Sequence, residues 1–143
     1  PPLIYLPKSN WVVVHAGLEP KKDLWHKERD KICHIRYLNP ETLKTVSLDE
    51  NYMPPSGSVY WTELYDMEHH VVYGHRVHSL ETPDVTVKTN GAQLVGLDTG
   101  SCFGGRLAAF LVPENKEERV TPQHFVQVQA AKAYSRSLWH AQE

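Results

Sequence analysis

Residues 71–79 read VVYGHRVHS, an apolar run set directly against a glycine, a histidine and an arginine. Strands of this kind usually end in Gly, Asn, Asp or Pro, so His75 at that position points to something held at the strand's C-terminal edge. The same arrangement occurs earlier, where WVVVHAGLEP carries an apolar run into His15 and then Ala16-Gly17, which let the backbone turn with little side-chain bulk. If the two strands are neighbours in one sheet, both imidazoles emerge at one edge and can share a metal ion. A histidine closing a strand also serves as an ordinary hydrogen-bonded structural residue, and neither motif alone decides between these readings.

Working outward, the chain reads as six strands: Trp11 to His15, His70 to Gly74, Asp84 to Lys88, Gln93 to Asp98, Arg106 to Val112 and His124 to Gln129. The first two are apolar almost throughout, as expected of strands covered on both faces, whereas DVTVK and FVQVQ alternate and should each have a wetter side. Asn90-Gly91 between two of these runs predicts a tight hairpin. Leu24, Glu28, Ile32 and Ile35 share a helical face between Lys22 and Leu38, with Pro40 closing the segment, and a second, shorter helix is predicted from Val59 to Met67. The stretch DENYMPPSGS reads as loop and the charge-rich PENKEERV as a solvated connection. The expected class is therefore α/β (α+β), with about six strands and one or two helices.

Composition restricts the function classes. A chain of 143 residues with a formal net charge of −2 has the make-up of one soluble globular unit, and it lacks the basic balance that accompanies nonspecific nucleic-acid binding. No apolar run approaches the length that spans a bilayer. Cys33 and Cys102 are far apart and without CxxC spacing, which argues against a disulfide framework or a cysteine zinc site and favours a reducing, cytoplasmic compartment. The opening Pro1-Pro2-Leu3, without methionine, points to a processed product or an excised piece. Trp11, Trp25, Trp61 and Trp139 have no regular spacing and read as packing residues. Adjacent His69 and His70 enter a strand pointing to opposite faces, so they do not share a metal.

A third motif, GLDTGSCFGGRLAAFLV, passes from strand through a glycine-rich turn into another strand, and glycines at that density imply close backbone approach or positive φ. The ordered set VVHAGL, VVYGH, GLDTGSCFGGRLAAFLV and FVQVQA resembles the C-terminal half of the calcineurin-like metallophosphoesterases, nearest to the phosphoprotein phosphatase branch with its diadenosine tetraphosphatase-like enzymes. The resemblance covers roughly Trp11 to Tyr134. It implies that residues 1–143 form a single C-terminal portion of such a domain, part of a β-sandwich flanked by helices. It also implies a centre of two divalent ions (manganese, iron, zinc or magnesium) that clamp phosphate and activate water. His15 and His75 are then ligands of the second ion, and Asp98, in the family's DTG turn, holds the glycine loop.

The phosphate contact implied by the resemblance is Arg36, at the level where related enzymes carry a Met-Arg, with Arg76 the next candidate. Its planar fork suits two phosphate oxygens, although a helix-surface arginine would look the same in sequence. His78 is a further candidate for the mouth of the site, against its reading as a loop-surface histidine. The family's Gly-Asp-x-His-Gly, Gly-Asp-x-x-Asp-Arg-Gly and Gly-Asn-His motifs do not occur in this sequence, and Thr62 and Glu63 stand where a Trp-Asn-Arg-like segment places its arginine. The expected function is a metal-dependent phosphoesterase acting on a phosphorylated protein or a nucleoside polyphosphate, with an N-terminal half or second chain completing the site and the 143 residues inactive alone. The alternative is a non-catalytic or degenerate phosphatase half that serves as a structural or binding subunit.

Overall fold

The computed structural model describes residues 2–135; Trp139 lies outside them. Among these residues are nine strands in three sheets and few helices, a mixed α/β fold in which a five-stranded sheet forms the centre. That sheet contains β1 (Leu3–Leu6), β2 (Trp11–Val14), β5 (His70–Tyr73), β6 (Asp84–Val87) and β7 (Gln93–Gly96), in the order β1-β2-β5-β7-β6. The three central strands β2, β5 and β7 run parallel, whereas the outer β1 and β6 are antiparallel to their neighbours. Both faces of the central strands are covered, which is why β5 is buried at all four positions and why its sequence lacks alternation.

On one face, Val12, Val14, Val71, Tyr73 and Leu94 meet Leu24, Ile32, Ile35, Leu38, Tyr60 and Trp61. These come from short elements: a 3-10 turn at Leu24–His26, the helix α1 (Arg29–His34), the paired β3 (Tyr37–Leu38) and β4 (Val59–Tyr60), and a 3-10 turn at Trp61–Leu64. On the other face, Trp11, Val72 and Val95 meet Phe110 and Phe125 of a hairpin formed by β8 (Arg106–Phe110) and β9 (Phe125–Gln129). Sheet, hairpin and short helices together form the sandwich-like arrangement.

All six expected strands are present, trimmed by up to two residues at their ends, and β1, β3 and β4 are additional. The long helix expected from Lys22 to Leu38 is replaced by the 3-10 turn, α1 and β3, because the backbone is extended at Lys27 and Glu28 and again at Ile35 (ψ 132°). The apolar positions Leu24, Ile32 and Ile35 are buried as that pattern requires, but on successive short pieces. The helix expected from Val59 to Met67 is a single 3-10 turn, preceded by β4, since Tyr60 stays extended to pair with Tyr37. The Asn90-Gly91 hairpin is formed, with Gly91 at φ 87° and its N–H donating to Lys88 O. In the alternating strands the wetter side is the apolar one: Val85, Val87, Val126 and Val128 face solvent. No helix among the described residues is long and apolar enough to cross a membrane.

Candidate functional site

β2 and β5 are adjacent and parallel, in register Trp11 to His70 and Val13 to Val72, so the residues that follow them leave the sheet together. The Gly74 N–H donates to His15 O at 2.8 Å and joins the two strand ends. The consequence for the side chains is direct contact: His15 Nε2 lies 3.1 Å from His75 Nδ1, with ring centroids 4.9 Å apart. His15 is exposed and His75 half-buried. His34, at the end of α1, sets its ring 6.2 Å from that of His75, a neighbour that the sequence reading did not pick out.

His75 occupies an unusual backbone conformation. Its φ is 69°, and the Arg76 N–H donates to Gly74 O at 2.8 Å, which closes a γ-turn around the histidine. Conformations of this kind cost free energy in a non-glycine residue and persist only where the surroundings impose them. Burial, followed by the positive charge of Arg36 and the neighbouring His15 and His34, pushes the His75 pKa down to about 4, while Asp98 opposes the shift. The ring is therefore neutral around pH 7 and keeps a nitrogen lone pair for use.

The glycine-rich turn reaches the same edge. A cleft of about 350 Å³ is lined by His15, His75, Asp98, Ser101 and Arg106 above an apolar floor that includes Val13 and Val72. Asp98 accepts from the Gly100 N–H at 3.0 Å and so organises the turn. Gly105 is there of necessity, because a Cβ at that position would stand 2.0 Å from Thr99 O. Arg106 forms no ion pair among the described residues and is a cation that the sequence reading overlooked. Its place at the start of a strand, just after the glycines, was the available signal.

The three other named residues differ in their surroundings. Arg36 Nε is buried without a hydrogen-bond partner, and its charge is close enough to depress His75. Arg76 instead lies between two aromatic rings, 4.9 Å from Tyr37 and 4.8 Å from Tyr60, an arrangement that engages its guanidinium in cation–π packing. His78 packs edge-on to Tyr60 and Tyr73, with Nε2 buried and unpartnered, and burial lowers its pKa. It belongs to an aromatic cluster and is no loop-surface residue. His69 and His70 diverge as expected, the first toward Asn10 and the second toward Lys116 O and the Gln93 N–H.

Two imidazole nitrogens on one tetrahedral ion, each at about 2.0–2.1 Å, stand about 3.3 Å apart, close to the spacing of the His15–His75 pair. The pair thus fits as part of one ion's shell. It does not amount to a complete centre: among the described residues no group of three or more His, Cys, Asp or Glu side chains could hold a metal ion.

No family model and no curated protein matches the chain. A solved crystal structure, that of a "putative diadenosine tetraphosphatase", matches it with a TM-score of 0.64 and 24% sequence identity over 91% of this chain. The two share a fold. The match takes in 51% of the other protein, so this chain spans about half of that protein's length.

Proposed function

We propose that the chain supplies part of the catalytic centre of a metal-dependent phosphoesterase, with His15 and His75 as two ligands of one divalent ion. The observation that carries this reading is the convergence of His15 Nε2 and His75 Nδ1 at 3.1 Å on one sheet edge, beside the Arg36 and Arg106 cations. The described name of the structural neighbour favours the same chemistry. Manganese, iron, zinc and magnesium all suit such a centre, and the bound ion would supply Lewis acidity and an activated water.

The residues of this chain have separable tasks. His75, kept neutral by burial and by nearby cations, offers its ring nitrogen without first losing a proton. Arg36 is the preferred phosphate contact, because its unpartnered Nε leaves a donor to satisfy, whereas Arg76 is held between tyrosines. Arg106 is placed to neutralise charge on the cleft's other wall, and His78 supports the Tyr60–Tyr73 cluster behind it. The substrate is a phosphoester on a protein or a nucleoside polyphosphate anhydride. The remaining ligands come from a complementing half, in the same polypeptide or on a second chain, and the 143 residues alone turn over little or no substrate.

The test uses the protein with its complementing half, assayed with p-nitrophenyl phosphate and diadenosine tetraphosphate while bound metal is measured. His15→Ala or His75→Ala should lower both turnover and metal content. Arg36→Ala should reduce kcat/KM by roughly 10²-fold with metal content unchanged. Histidine variants with full activity and full metal occupancy would leave the fold as ancestry only and favour the non-catalytic alternative.

A further inference from the structure

The polarity of the β8–β9 hairpin is reversed relative to a solvated sheet face. Phe110 and Phe125 point inward to Trp11, as a core requires, and Gln127 and Gln129 bond to Glu81 O and to Gly104 O and Gly105 O. The outward positions are apolar: Leu107 is 65% exposed, Leu111 58%, Val126 55% and Val128 64%. No charged side chain interrupts this face within β8 or β9, although charges are the usual protection of an exposed sheet. A contiguous apolar face of this kind marks an interaction surface.

The hairpin also has an open edge. Leu111 N–H donates to His124 O and Ala130 N–H to Gly105 O, so in the alternating antiparallel pattern the odd residues of β8 bond to β9 and the even ones face away. Arg106 N–H is occupied by Thr99 O, but Ala108 and Phe110 have no main-chain partner on that side among the described residues. This edge is not remote from the site, since Arg106, Leu107 and Ala108 form a wall of the cleft that contains His15 and His75.

We propose that this edge and face dock the rest of the catalytic domain. A complementing polypeptide adds a β-strand alongside β8, bonds to Ala108 and Phe110, and covers Leu107, Leu111, Val126 and Val128. Its identity rests on the phosphoesterase reading above. The argument for such an occupant is twofold: about half of the structural neighbour's length has no counterpart in this chain, and a strand paired with β8 would stand within reach of an incomplete ligand pair.

The probe is the portion of the neighbour's chain outside the match, co-expressed with residues 1–143. The expected product is a 1:1 complex by sedimentation, with amide exchange at Ala108 and Phe110 slowed at least ~100-fold relative to the chain alone. Val128→Lys, on an exposed position, should weaken the complex roughly 10-fold or more, as should Ala108→Pro, while Glu117→Lys should leave it intact. Absence of a complex, a complex in which those amides still exchange freely, or protection arising from pairing of two copies of this chain would each overturn the proposal. Catalysis is read separately: a complex docked on β8 that hydrolyses nothing would remove the phosphoesterase reading and keep the docking surface, and an active complex with β8 unprotected would do the reverse.

Discussion

At the scale of single residues, the chain contains side chains whose charge state is set by burial more than by pairing. His75 is one, and Lys27 is another, away from the site. The Lys27 ammonium donates to Glu19 O and approaches Met67 Sδ at 3.7 Å, and burial lowers its pKa to about 8, only partly opposed by Glu19, Asp23 and Asp66. Because the folded-state value lies below the unfolded value of 10.5, the unfolded chain binds more protons between about pH 8 and 10.5, and this residue's contribution to stability rises with pH across that window. Below pH 8 both states are protonated, and the cost of burying the charge is fully present. Urea titrations of wild type and Lys27→Met should therefore show a stability difference that is constant below pH 8 and shifts in favour of wild type as the pH approaches 10.5. A pH-independent difference would mean that Lys27 titrates normally. Neither this half-buried lysine nor the γ-turn at His75 was legible in sequence, because both depend on which distant segments come to lie around them. The presentation of His15 and His75 was legible, since an apolar run ending in His forces the imidazole to a strand edge whatever the rest of the chain does.

At the scale of elements, the strands were readable and the helices were not, for a physical reason. β-Branched runs bounded by turn residues are specified locally, and each of the six expected ones is found. Helical periodicity at Leu24, Ile32 and Ile35 reported burial correctly but not conformation, because short pieces with extended joints can present the same side chains to one core. β3 and β4, two residues each, carry no period at all. The glycine turn shows a similar limit: its density signalled close approach, but not which glycine is indispensable. Gly105→Ala should destabilise the protein by at least ~2 kcal/mol, since the new Cβ would collide with Thr99 O at 2.0 Å and displace backbone that lines the cleft. Gly74→Ala meets nothing nearer than 3.7 Å and has no positive φ, so it should cost less than ~1 kcal/mol. Thermal denaturation of the two variants checks the contrast, and equal losses would show that the turn relaxes more readily than its geometry indicates.

At the scale of the whole molecule, the central sheet is held between two cores of unequal size, each with a buried tryptophan. Trp61 fills the larger one, against Tyr65 and Tyr73, where Gly17 leaves room for its ring. Trp11 belongs to the smaller one and packs against His70 in a tilted arrangement and against Phe110 edge-to-face, at centroid distances of 4.9 and 5.1 Å. The second core fastens the β8–β9 hairpin to the sheet, because Phe110 and Phe125 pack there against Trp11, Val72 and Val95. Trp11→Ala should cost about 3–5 kcal/mol, a large share of the ~5–15 kcal/mol typical of a domain. The loss should be felt most by the hairpin, so hydrogen exchange in β8 and β9 should accelerate more than in β2, β5 and β7. Trp11→Phe should cost less, since Nε1 of Trp11 is buried without a partner and its removal breaks no hydrogen bond. Trp25 supplies the control: it is exposed, contrary to the packing role expected of it, and meets the Tyr5 ring edge-to-face at a centroid distance of 6.0 Å, so Trp25→Ala should change stability by no more than ~0.5 kcal/mol. If Trp11→Ala instead unfolded as cooperatively as wild type, with exchange quickening equally in all strands, the hairpin and sheet would form one indivisible unit, and a complementing half would add to a surface already rigid.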